Sequence, residues 1–333
     1  MDNNIRQLNK QEFENKELFL NSYPKNIYVE ITRNCNLKCS MCKNRKRNYD
    51  SKFNMDFDFF KKIADELFPH AEHIDLRGFG ESMIHPEFEK FLDYTLKYDA
   101  YTGLVTNLAV KNDHLWKKMV RKGCWIAMSI DSAYKKKFES IRKGSNFKII
   151  KHNLKLITDT RNKYDTDVWK TYFIITLQKQ NVKELKDILV LAHDHGIKRV
   201  EVNPVRLPVW DKNHLRWSSD KDRHILDAEE YAKKKGMSLL FHGDISPVKN
   251  NKASGRIVRP KRCPNPWTNL FITYDGKIGP CNHLMSKPVV LGDLKKGSFR
   301  EEWNNEKFQR FRKYNDTILR YRPCNWCYRN KYS

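Results

Sequence analysis

The chain alternates between two hydrophobic periods. Short runs dominated by β-branched and aromatic residues predict strands, and longer runs with apolar residues three or four positions apart predict helices. In residues 56–68, for example, apolar side chains follow the helical spacing: Phe59, Phe60, Ile63, Ala64 and Leu67. Strands are predicted at "KNIYVEIT", "HIDLRG", "YTGLVTN", "WIAMSID", "VWKTYFIITLQ", "IKRVEVNPV" and "MSLLFHG". At least one helix is predicted after each of the first six strands, which favours parallel strands with right-handed crossovers.

Six strand–helix units and a trailing strand occupy residues 25–243. This order predicts an α/β fold, either a partial (β/α)6 barrel or a complete α/β barrel, with a doubly wound open sheet as the alternative. In both folds the chemistry takes place at the carboxyl ends of the strands.

Single residues mark some helix ends. Pro86 is predicted to open "HPEFEKFLDYTLKYD", Ser145 to cap "NFKIIKHNLKLITDTRNK" and Gly196 to end "VKELKDILVLAHDHG".

The alternation stops after about Gly243, and a different pattern follows. "NLFITYDGKIGPC" predicts a hairpin with Asp275 and Gly276 at its turn. "SFREEWNNEKFQRF" predicts one helix with a capping box from Ser298 to Glu301. We expect a small second domain here, with so little core of its own that a bound metal would help to hold it.

Charge and hydropathy narrow the cellular setting. The 64 basic and 40 acidic residues give a net charge of +24, which favours acidic partners, although scattered lysines are more typical of a solvated surface, and we favour that interpretation. The densest basic segment, "VKNNKASGRIVRPKR" at 248–262, is expected to meet a phosphate or carboxylate. No apolar stretch is long enough for a membrane span, and the N-terminus lacks the apolar core of a signal peptide. The sequence therefore predicts a cytoplasmic protein without a membrane partner.

Three of the eight cysteines lie within eight positions, directly after the first strand. In "ITRNCNLKCSMC" they are Cys35, Cys39 and Cys42, and the next cysteine is Cys124. In a cytoplasmic protein such thiols are typical metal ligands rather than disulfides. Three thiolates on a four-iron cluster leave one iron without a protein ligand, and an open position is typical of a catalytic metal site. We therefore expect a small molecule to bind at that iron.

Further segments mark the ends of the next strands. "RGFGES" follows the second strand, "VTNL" ends the third, "MSID" ends the fourth and "IRKGSNF" lies beyond it. Together with the three cysteines, these segments resemble the radical S-adenosylmethionine (SAM) superfamily over about residues 27–205. The resemblance implies a radical SAM barrel whose three cysteines bind a [4Fe-4S] cluster with SAM on its open iron. It also implies SAM contacts from Met41, Gly78, Gly80, Glu81, Asn107, Ser129 and Arg142.

Two positions depart from that family's pattern. Ser82 stands where most relatives have proline, and Leu108 stands where the family often has glycine after a threonine and an asparagine. The leucine puts the shape of that turn in question.

A second set of cysteines lies near the C-terminus: Cys263, Cys281, Cys324 and Cys327. Four thiolates close a metal site, which suits either a fully ligated iron–sulfur cluster or zinc. Residues 263–327 resemble the auxiliary-cluster domains of radical SAM enzymes, the SPASM and shorter twitch types. With four cysteines the segment resembles the one-cluster version, similar to the aminocyclitol dehydrogenase of butirosin biosynthesis, and this implies an auxiliary [4Fe-4S] cluster. The implied domains are an N-terminal extension, the radical SAM domain, a basic linker and the cluster domain, at 1–24, 25–243, 244–262 and 263–333.

The resemblance implies a reaction in which SAM is reductively cleaved to a 5′-deoxyadenosyl radical that abstracts hydrogen from a substrate carbon. A flavodoxin or ferredoxin is the implied electron donor, and the auxiliary cluster is the implied acceptor of the substrate's electron. We expect a two-electron oxidation of a small polar metabolite, such as a sugar or aminocyclitol. A peptide maturase is the alternative, disfavoured because only about twenty-five residues precede the first strand, too few for a peptide-binding domain. A non-catalytic basic metalloprotein that binds RNA is a further alternative, and nucleic acid is the less favoured partner.

Other polar residues are predicted near the substrate with less support. Gln178, Asn203 and Arg206 follow later strands and are either substrate contacts or solvated loop residues. Cys124 is predicted to be a buried structural thiol, with a hydrogen-donating role as the alternative. The sequence identifies no catalytic acid or base.

Overall fold

The computed structural model describes residues 3–46, 48–206, 211–242, 245, 262–285, 289–315, 317, 324 and 327. Contacts divide the chain into two compact units. The first unit comprises Met1–Cys35, Asn48–Gly103 and Arg259–Ser333, and the second comprises Asn36–Arg47 and Leu104–Val258. Most of the basic segment 248–262 lies outside the described residues. In the described part of the chain, none of the helices has both the length and the apolarity needed to span a bilayer.

The strands and helices follow the predicted alternation. The strands are β1 (Asn26–Val29), β2 (His73–Asp75), β3 (Tyr101–Thr106), β4 (Trp125–Ser129), β5 (Thr171–Leu177), β6 (Arg199–Pro204), β7 (Ser238–Phe241), β8 (Asn269–Ile272), β9 (Lys277–Gly279) and β10 (Gly292–Asp293). The helices are α1 (Asn3–Glu14), α2 (Phe57–Leu67), α3 (Phe88–Thr95), α4 (Asp113–Arg121), α5 (Lys135–Ile141), α6 (Phe147–Lys163), α7 (Leu185–Asp194), α8 (Lys221–Lys234), α9 (Asn265–Thr268), α10 (Asn282–Met285), α11 (Phe299–Trp303) and α12 (Glu306–Lys313).

Parallel pairing dominates both units, and the prediction of an α/β fold is confirmed. In the first unit β1 lies between β2 and β8 and is parallel to both, and β2 pairs with the first half of β3. In the second unit β4 to β7 form four consecutive parallel strands. Side chains alternate across each strand, so that Ile27 and Val29 are buried on one face and Tyr28 lies on the other.

The C-terminal segment continues the sheet that the first strand begins. Strand β8 is parallel to β1, with Tyr28 opposite Phe271, and β9 and β10 follow as antiparallel neighbours. Gly276 has a φ of 85° in the β8–β9 turn, as the predicted hairpin requires. The expectation of little core is wrong, since this segment buries Trp267, Phe271, Ile278, Phe299, Trp303 and Phe308. Helix α1 adds to that core, where the rings of Phe13 and Trp267 are 5.4 Å apart.

Three predicted helix boundaries are wrong for local reasons. Helix α3 begins at Phe88, two residues after Pro86. Helix α6 is capped by Asn146, whose side chain accepts a hydrogen bond from the Lys148 N–H, and not by Ser145. The single helix predicted across 298–311 is two helices, because Asn305 caps a second one and its side chain accepts from the Phe308 N–H. The capping box between Ser298 and Glu301 and the helix end at Gly196 are confirmed.

Candidate active site

The cysteine loop crosses the boundary between the units, with Cys35 in the first and Cys39 and Cys42 in the second. In the second unit, Cys39 and Cys42 enclose a tight turn closed by a 3.0 Å bond from the Cys42 N–H to the Cys39 carbonyl. Met41 lies half-buried inside this turn. The Cys42 sulfur accepts a 3.3 Å hydrogen bond from the Asn44 N–H, and such a bond stabilises a thiolate.

The end of helix α5 holds the same loop in place. The Lys38 N–H bonds the Lys143 carbonyl and the Ser40 N–H bonds the Ile141 carbonyl, each at 2.8 Å. Arg142 lies between those two carbonyls in sequence and is buried. The loop that carries two of the cysteines is therefore held by main-chain bonds that do not depend on its own side chains.

Arg142 brings positive charge to the buried Cys39. Burial raises the pKa of the Cys39 thiol, and the Arg142 guanidinium opposes that rise. Arg142 itself forms a 2.8 Å ion pair with the buried Asp131, whose other oxygen accepts from the Thr176 N–H at 2.7 Å. Asp131 thus fixes the guanidinium, and the guanidinium favours the thiolate that a metal requires.

In the first unit, the residue before Cys35 is tied to the glycine-rich segment. The Asn34 carbonyl accepts a 2.8 Å bond from the Glu81 N–H, and Glu81 is buried. A Cβ on Gly80 would lie 2.2 Å from that same carbonyl oxygen, so only glycine fits there. The Asn34 side chain also bonds the main chain of Asp50 in both directions. Gly80 therefore has a packing reason to be glycine.

Gly78 leaves room for a buried acid. A Cβ on Gly78 would lie 2.2 Å from the Cγ of Glu30, which is fully buried. Glu30 accepts from the Phe79 N–H at 2.8 Å and forms a 2.7 Å ion pair with Arg33. Burial raises the pKa of Glu30 despite these bonds. The glycine-rich segment is thus packed against its own unit at both glycines.

The turn after β3 keeps its shape although Leu108 stands in it. Leu108 has a φ of 61° and is fully buried, so the leucine adopts the left-handed backbone that glycine prefers. The Asn107 side chain accepts from the Ala109 N–H and donates to Asn36, each at 2.8 Å. Asn107 therefore links this turn to the beginning of the cysteine loop in the second unit.

The remaining predicted residues lie at strand ends of the second unit. Ser129 is the last residue of β4, half-buried and opposite Ile174 of β5. Gln178 is fully buried and accepts from Gln180 at 2.8 Å, so it is not a solvated loop residue. Asn203 is half-buried near the end of β6, and Arg206 is exposed.

Cys124 is buried, and burial raises the pKa of its thiol to about 12, which makes it unreactive.

The four C-terminal cysteines lie in the first unit with main-chain contacts of their own. The Cys263 N–H donates to the Asn315 side chain at 3.0 Å, and the Cys281 carbonyl accepts from the Met285 N–H at 3.2 Å. Cys324 and Cys327 are joined by a 3.2 Å main-chain bond, the turn that a C-x2-C pair needs to present both sulfurs together.

The donor set of the three-cysteine loop fits a four-iron cluster. Among the described residues, no three His, Cys, Asp or Glu side chains are placed to share one metal ion. A [4Fe-4S] cluster makes a different demand, since each thiolate ligates its own iron. The three-cysteine loop, with Cys39 beside Arg142, fits that demand in its donor set and its charge.

Three buried carboxylates in the predicted strands were not singled out from the sequence. They are Glu30, Asp75 and Glu201, each no more than 8% exposed. Glu201 bonds the His242 ring at 2.9 Å and pairs with Arg199. All three stand in segments predicted to be strands, and an acid within a buried strand is the signal that could have identified them.

Two family models match the chain. The radical SAM superfamily model matches residues 29–192, and the model of the SPASM domain, an iron–sulfur cluster-binding domain, matches residues 263–328. Between them the two matches span most of the chain and contain all seven cysteines of the two sets.

Curated relatives match at moderate identity. The tungsten-containing aldehyde ferredoxin oxidoreductase cofactor-modifying protein of Pyrococcus furiosus is 36% identical over 102 residues, which are 30% of this chain and 28% of that protein. AlbA of Bacillus subtilis, a protein of antilisterial bacteriocin subtilosin biosynthesis, is 24% identical over 294 residues, 86% of this chain and 61% of that protein. The chain thus spans less than two thirds of the length of both relatives.

A solved structure shares the fold. Streptococcus suis SuiB bound to S-adenosylmethionine aligns with a TM-score of 0.69 and 14% identity, covering 98% of this chain and 75% of that one. SuiB bound to its precursor peptide SuiA aligns with a TM-score of 0.69 and 13% identity, covering 98% and 74%. The two family-model matches show that the chain belongs to the radical SAM superfamily, with a radical SAM domain, which implies a [4Fe-4S] cluster and SAM, and a SPASM domain, which implies an auxiliary iron–sulfur cluster.

Proposed function

We propose that this chain is a radical SAM oxidoreductase that removes two electrons from its substrate. The observation that carries the proposal is the three-cysteine loop, which lies inside the matched radical SAM region and places the Arg142 guanidinium beside Cys39. Cys35, Cys39 and Cys42 hold the first cluster. With SAM bound, that cluster supplies the 5′-deoxyadenosyl radical that takes a hydrogen atom from a substrate carbon.

The SAM contacts in this proposal are the residues that line or adjoin the loop. Arg142 and Asn107 are tied to it through Asp131 and Asn36. Glu81 is tied through its main chain to Asn34. The full set proposed for SAM is Met41, Gly78, Gly80, Glu81, Asn107, Ser129 and Arg142.

Cys263, Cys281, Cys324 and Cys327 hold the auxiliary cluster in this proposal. Four thiolates leave no open iron, so the cluster cannot bind substrate without losing a ligand. Its role is to accept the electron that the substrate radical releases. A flavodoxin or ferredoxin donates the electron that starts each turnover. The proposed domain limits are 25–243 for the radical SAM domain and 263–333 for the SPASM domain.

A peptide is the first candidate substrate. AlbA is a bacteriocin biosynthesis protein, and SuiB has been solved with its precursor peptide SuiA. These likenesses favour a peptide over the small polar metabolite expected from the sequence. The reaction would then install a crosslink or another oxidised bond in the peptide.

A small molecule is the second candidate. The Pyrococcus furiosus relative is by name a cofactor-modifying protein, and it is 36% identical where it aligns. Oxidation of a small polar metabolite, such as a sugar or aminocyclitol, belongs to this candidate.

Two experiments test the proposal. The protein is loaded with iron and sulfide without oxygen, reduced with dithionite and given SAM, and it should form 5′-deoxyadenosine, whereas the Cys35→Ala variant should not. In the host, mass spectra of the wild-type and Cys35→Ala strains are then compared. Signals missing from the variant identify the product, and a peptide lighter by two hydrogen atoms than its precursor supports the first candidate. A missing metabolite signal supports the second, and a wild-type protein that leaves SAM intact contradicts both.

A further inference from the structure

One face of the sheet in the first unit carries an acid among aromatic rings. Tyr28, Asp75 and Phe271 stand side by side on β1, β2 and β8, because Tyr28 is in register with both other residues. The rings of Tyr28 and Phe271 stack at 6.4 Å, and the Arg77 guanidinium lies 5.5 Å from the Tyr28 ring centroid. Asp75 is 3% exposed, while the side chain of Arg77 is 28% exposed.

Glu30 and Asp75, two buried acids of this unit, differ in how they are bonded. Both carboxylate oxygens of Glu30 accept from Arg33, and one also accepts from the Phe79 N–H. In Asp75 the guanidinium of Arg77 donates to Oδ2, while Oδ1 is buried without a hydrogen-bond partner among the described residues. A buried oxygen that lacks a donor costs free energy, so a structural role does not explain Asp75.

The position of Asp75 favours chemistry. It is the last residue of β2, and parallel strands carry their functional groups at their carboxyl ends. Gly78 and Gly80, proposed above to adjoin SAM, follow within five residues.

The proposed reaction also releases a proton, and neither the adenosyl radical nor the auxiliary cluster accepts it. Converting a CH–OH or CH–NH group into a double bond removes one hydrogen atom from carbon, one electron and one proton from oxygen or nitrogen. The adenosyl radical takes the hydrogen atom and the auxiliary cluster takes the electron, so the proton must go to a base of this chain.

We propose, on the basis of the function proposed above, that Asp75 is this base. The substrate's O–H or N–H supplies the donor that Oδ1 lacks, and its proton passes to the carboxylate as the double bond forms. Burial raises the pKa of Asp75 to about 6 against the opposing effect of Arg77, and a base of that strength holds a proton better than an exposed aspartate does. The partly exposed Arg77 side chain keeps the Asp75 carboxylate in place through their ion pair.

A stability measurement tests whether Asp75 is kept for function. The pKa of Asp75 in the folded protein lies above its value in the unfolded chain. Protonated Asp75 therefore contributes fully to the stability of the wild-type fold at low pH, and this contribution is lost as the pH rises through about 6. The Tm of Asp75→Asn should therefore match or exceed that of wild type at pH 8, and the difference should shrink towards pH 4. Glu201→Gln is the matched control and should lower Tm at pH 8, because the buried Glu201 carboxylate is bonded to His242 and Arg199 and its pKa is lowered. An Asp75→Asn variant that loses as much Tm as Glu201→Gln overturns the proposal.

A turnover measurement tests the role itself. Reconstituted Asp75→Asn should form 5′-deoxyadenosine from SAM like wild type. The host strain that carries it should lack the same mass signals as Cys35→Ala, and Asp75→Glu should restore part of them. Wild-type signals in the Asp75→Asn strain overturn the proposal. A wild-type enzyme that leaves SAM intact refutes the proposed function instead, and the Tm comparison then still shows whether Asp75 is needed for stability.

Discussion

Leu108 shows how one residue can keep a turn that its side chain disfavours. A left-handed backbone costs a non-glycine residue about 1–2 kcal/mol, and Leu108 adopts it with a φ of 61°. Burial of the whole side chain offsets that cost. The Leu108 N–H and carbonyl are also bonded, to Thr106 at 3.0 Å and Asn153 at 2.9 Å. The departure from glycine at this position is thus tolerated by packing.

The left-handed backbone of Leu108 predicts that, at this position, glycine is less destabilising than alanine, the reverse of the usual order. Leu108→Ala and Leu108→Gly should both destabilise the protein because they leave a cavity. The glycine variant should be more stable than the alanine variant by about 1 kcal/mol, since glycine accepts the backbone without strain. At the control position Leu104, buried in strand β3, alanine should be the more stable of the two. Urea unfolding of the four variants checks the order, and an alanine advantage at both positions contradicts it.

The buried ion pair of Asp131 and Arg142 gives a second prediction. Arg142→Gln leaves the Asp131 carboxylate buried without its cation, which should cost about 3–5 kcal/mol in the free energy of unfolding. The double variant Asp131→Asn/Arg142→Gln removes both charges and should cost less than the single one. Urea unfolding of the metal-free protein measures both. A single variant within about 1 kcal/mol of wild type would contradict this prediction and show that the pair contributes little to stability.

At the scale of the element, local hydrogen bonds decide what hydrophobic periodicity leaves open. The alternation of strands and helices was predicted because buried faces repeat with fixed periods. Helix starts were predicted less well, because several polar residues compete for the same cap. Ser145 and Asn146 are both good cap types, and it is Asn146 whose backbone is extended and whose side chain accepts from the Lys148 N–H.

The cap of helix α6 can be tested with its neighbour as control. Asn146→Ala should destabilise the protein by about 1 kcal/mol, because the Lys148 N–H loses its acceptor. Ser145→Ala should be neutral or slightly stabilising, because the buried Ser145 hydroxyl has no hydrogen-bond partner among the described residues. Thermal unfolding compares the two variants, and a larger loss from Ser145→Ala would contradict the assignment.

The break between α11 and α12 follows the same rule. The apolar spacing of "SFREEWNNEKFQRF" continues through both helices, so periodicity alone predicts one. Asn304 and Asn305 interrupt it: Asn305 caps α12, and the Asn304 side chain bonds both the N–H and the carbonyl of Leu20. Contacts of this kind join residues far apart in sequence, which is why sequence periodicity does not contain them.

At the scale of the whole molecule, the cysteines carried more information than the composition. From the net charge of +24, partners of several different kinds were predicted. From the spacing of the two cysteine sets, two cluster domains were predicted, and the family models match both. The pairing of β8 with β1 could not be predicted from the sequence, because the two strands are far apart in the chain and no local pattern links them. The orphaned oxygen of Asp75 was beyond reach for a similar reason, since it depends on the neighbouring strands.

The two clusters should be separable in function. Cys324→Ala/Cys327→Ala removes two ligands of the auxiliary cluster, so it should spare formation of 5′-deoxyadenosine and abolish product. Cys124→Ala is the matched control and should keep both, because that thiol is buried and unreactive. Chromatography of 5′-deoxyadenosine and mass spectrometry of the product measure the two outcomes. Normal product formation without the auxiliary ligands would refute electron transfer through that cluster.

The most direct measurement is electron paramagnetic resonance of the Cys324→Ala/Cys327→Ala protein, because only the N-terminal cluster then contributes to the signal. The protein is loaded and reduced without oxygen, and spectra are recorded before and after addition of SAM. An iron left open by Cys35, Cys39 and Cys42 predicts that SAM changes the g values of the reduced cluster. A reduced-cluster spectrum that SAM leaves unchanged would contradict the account.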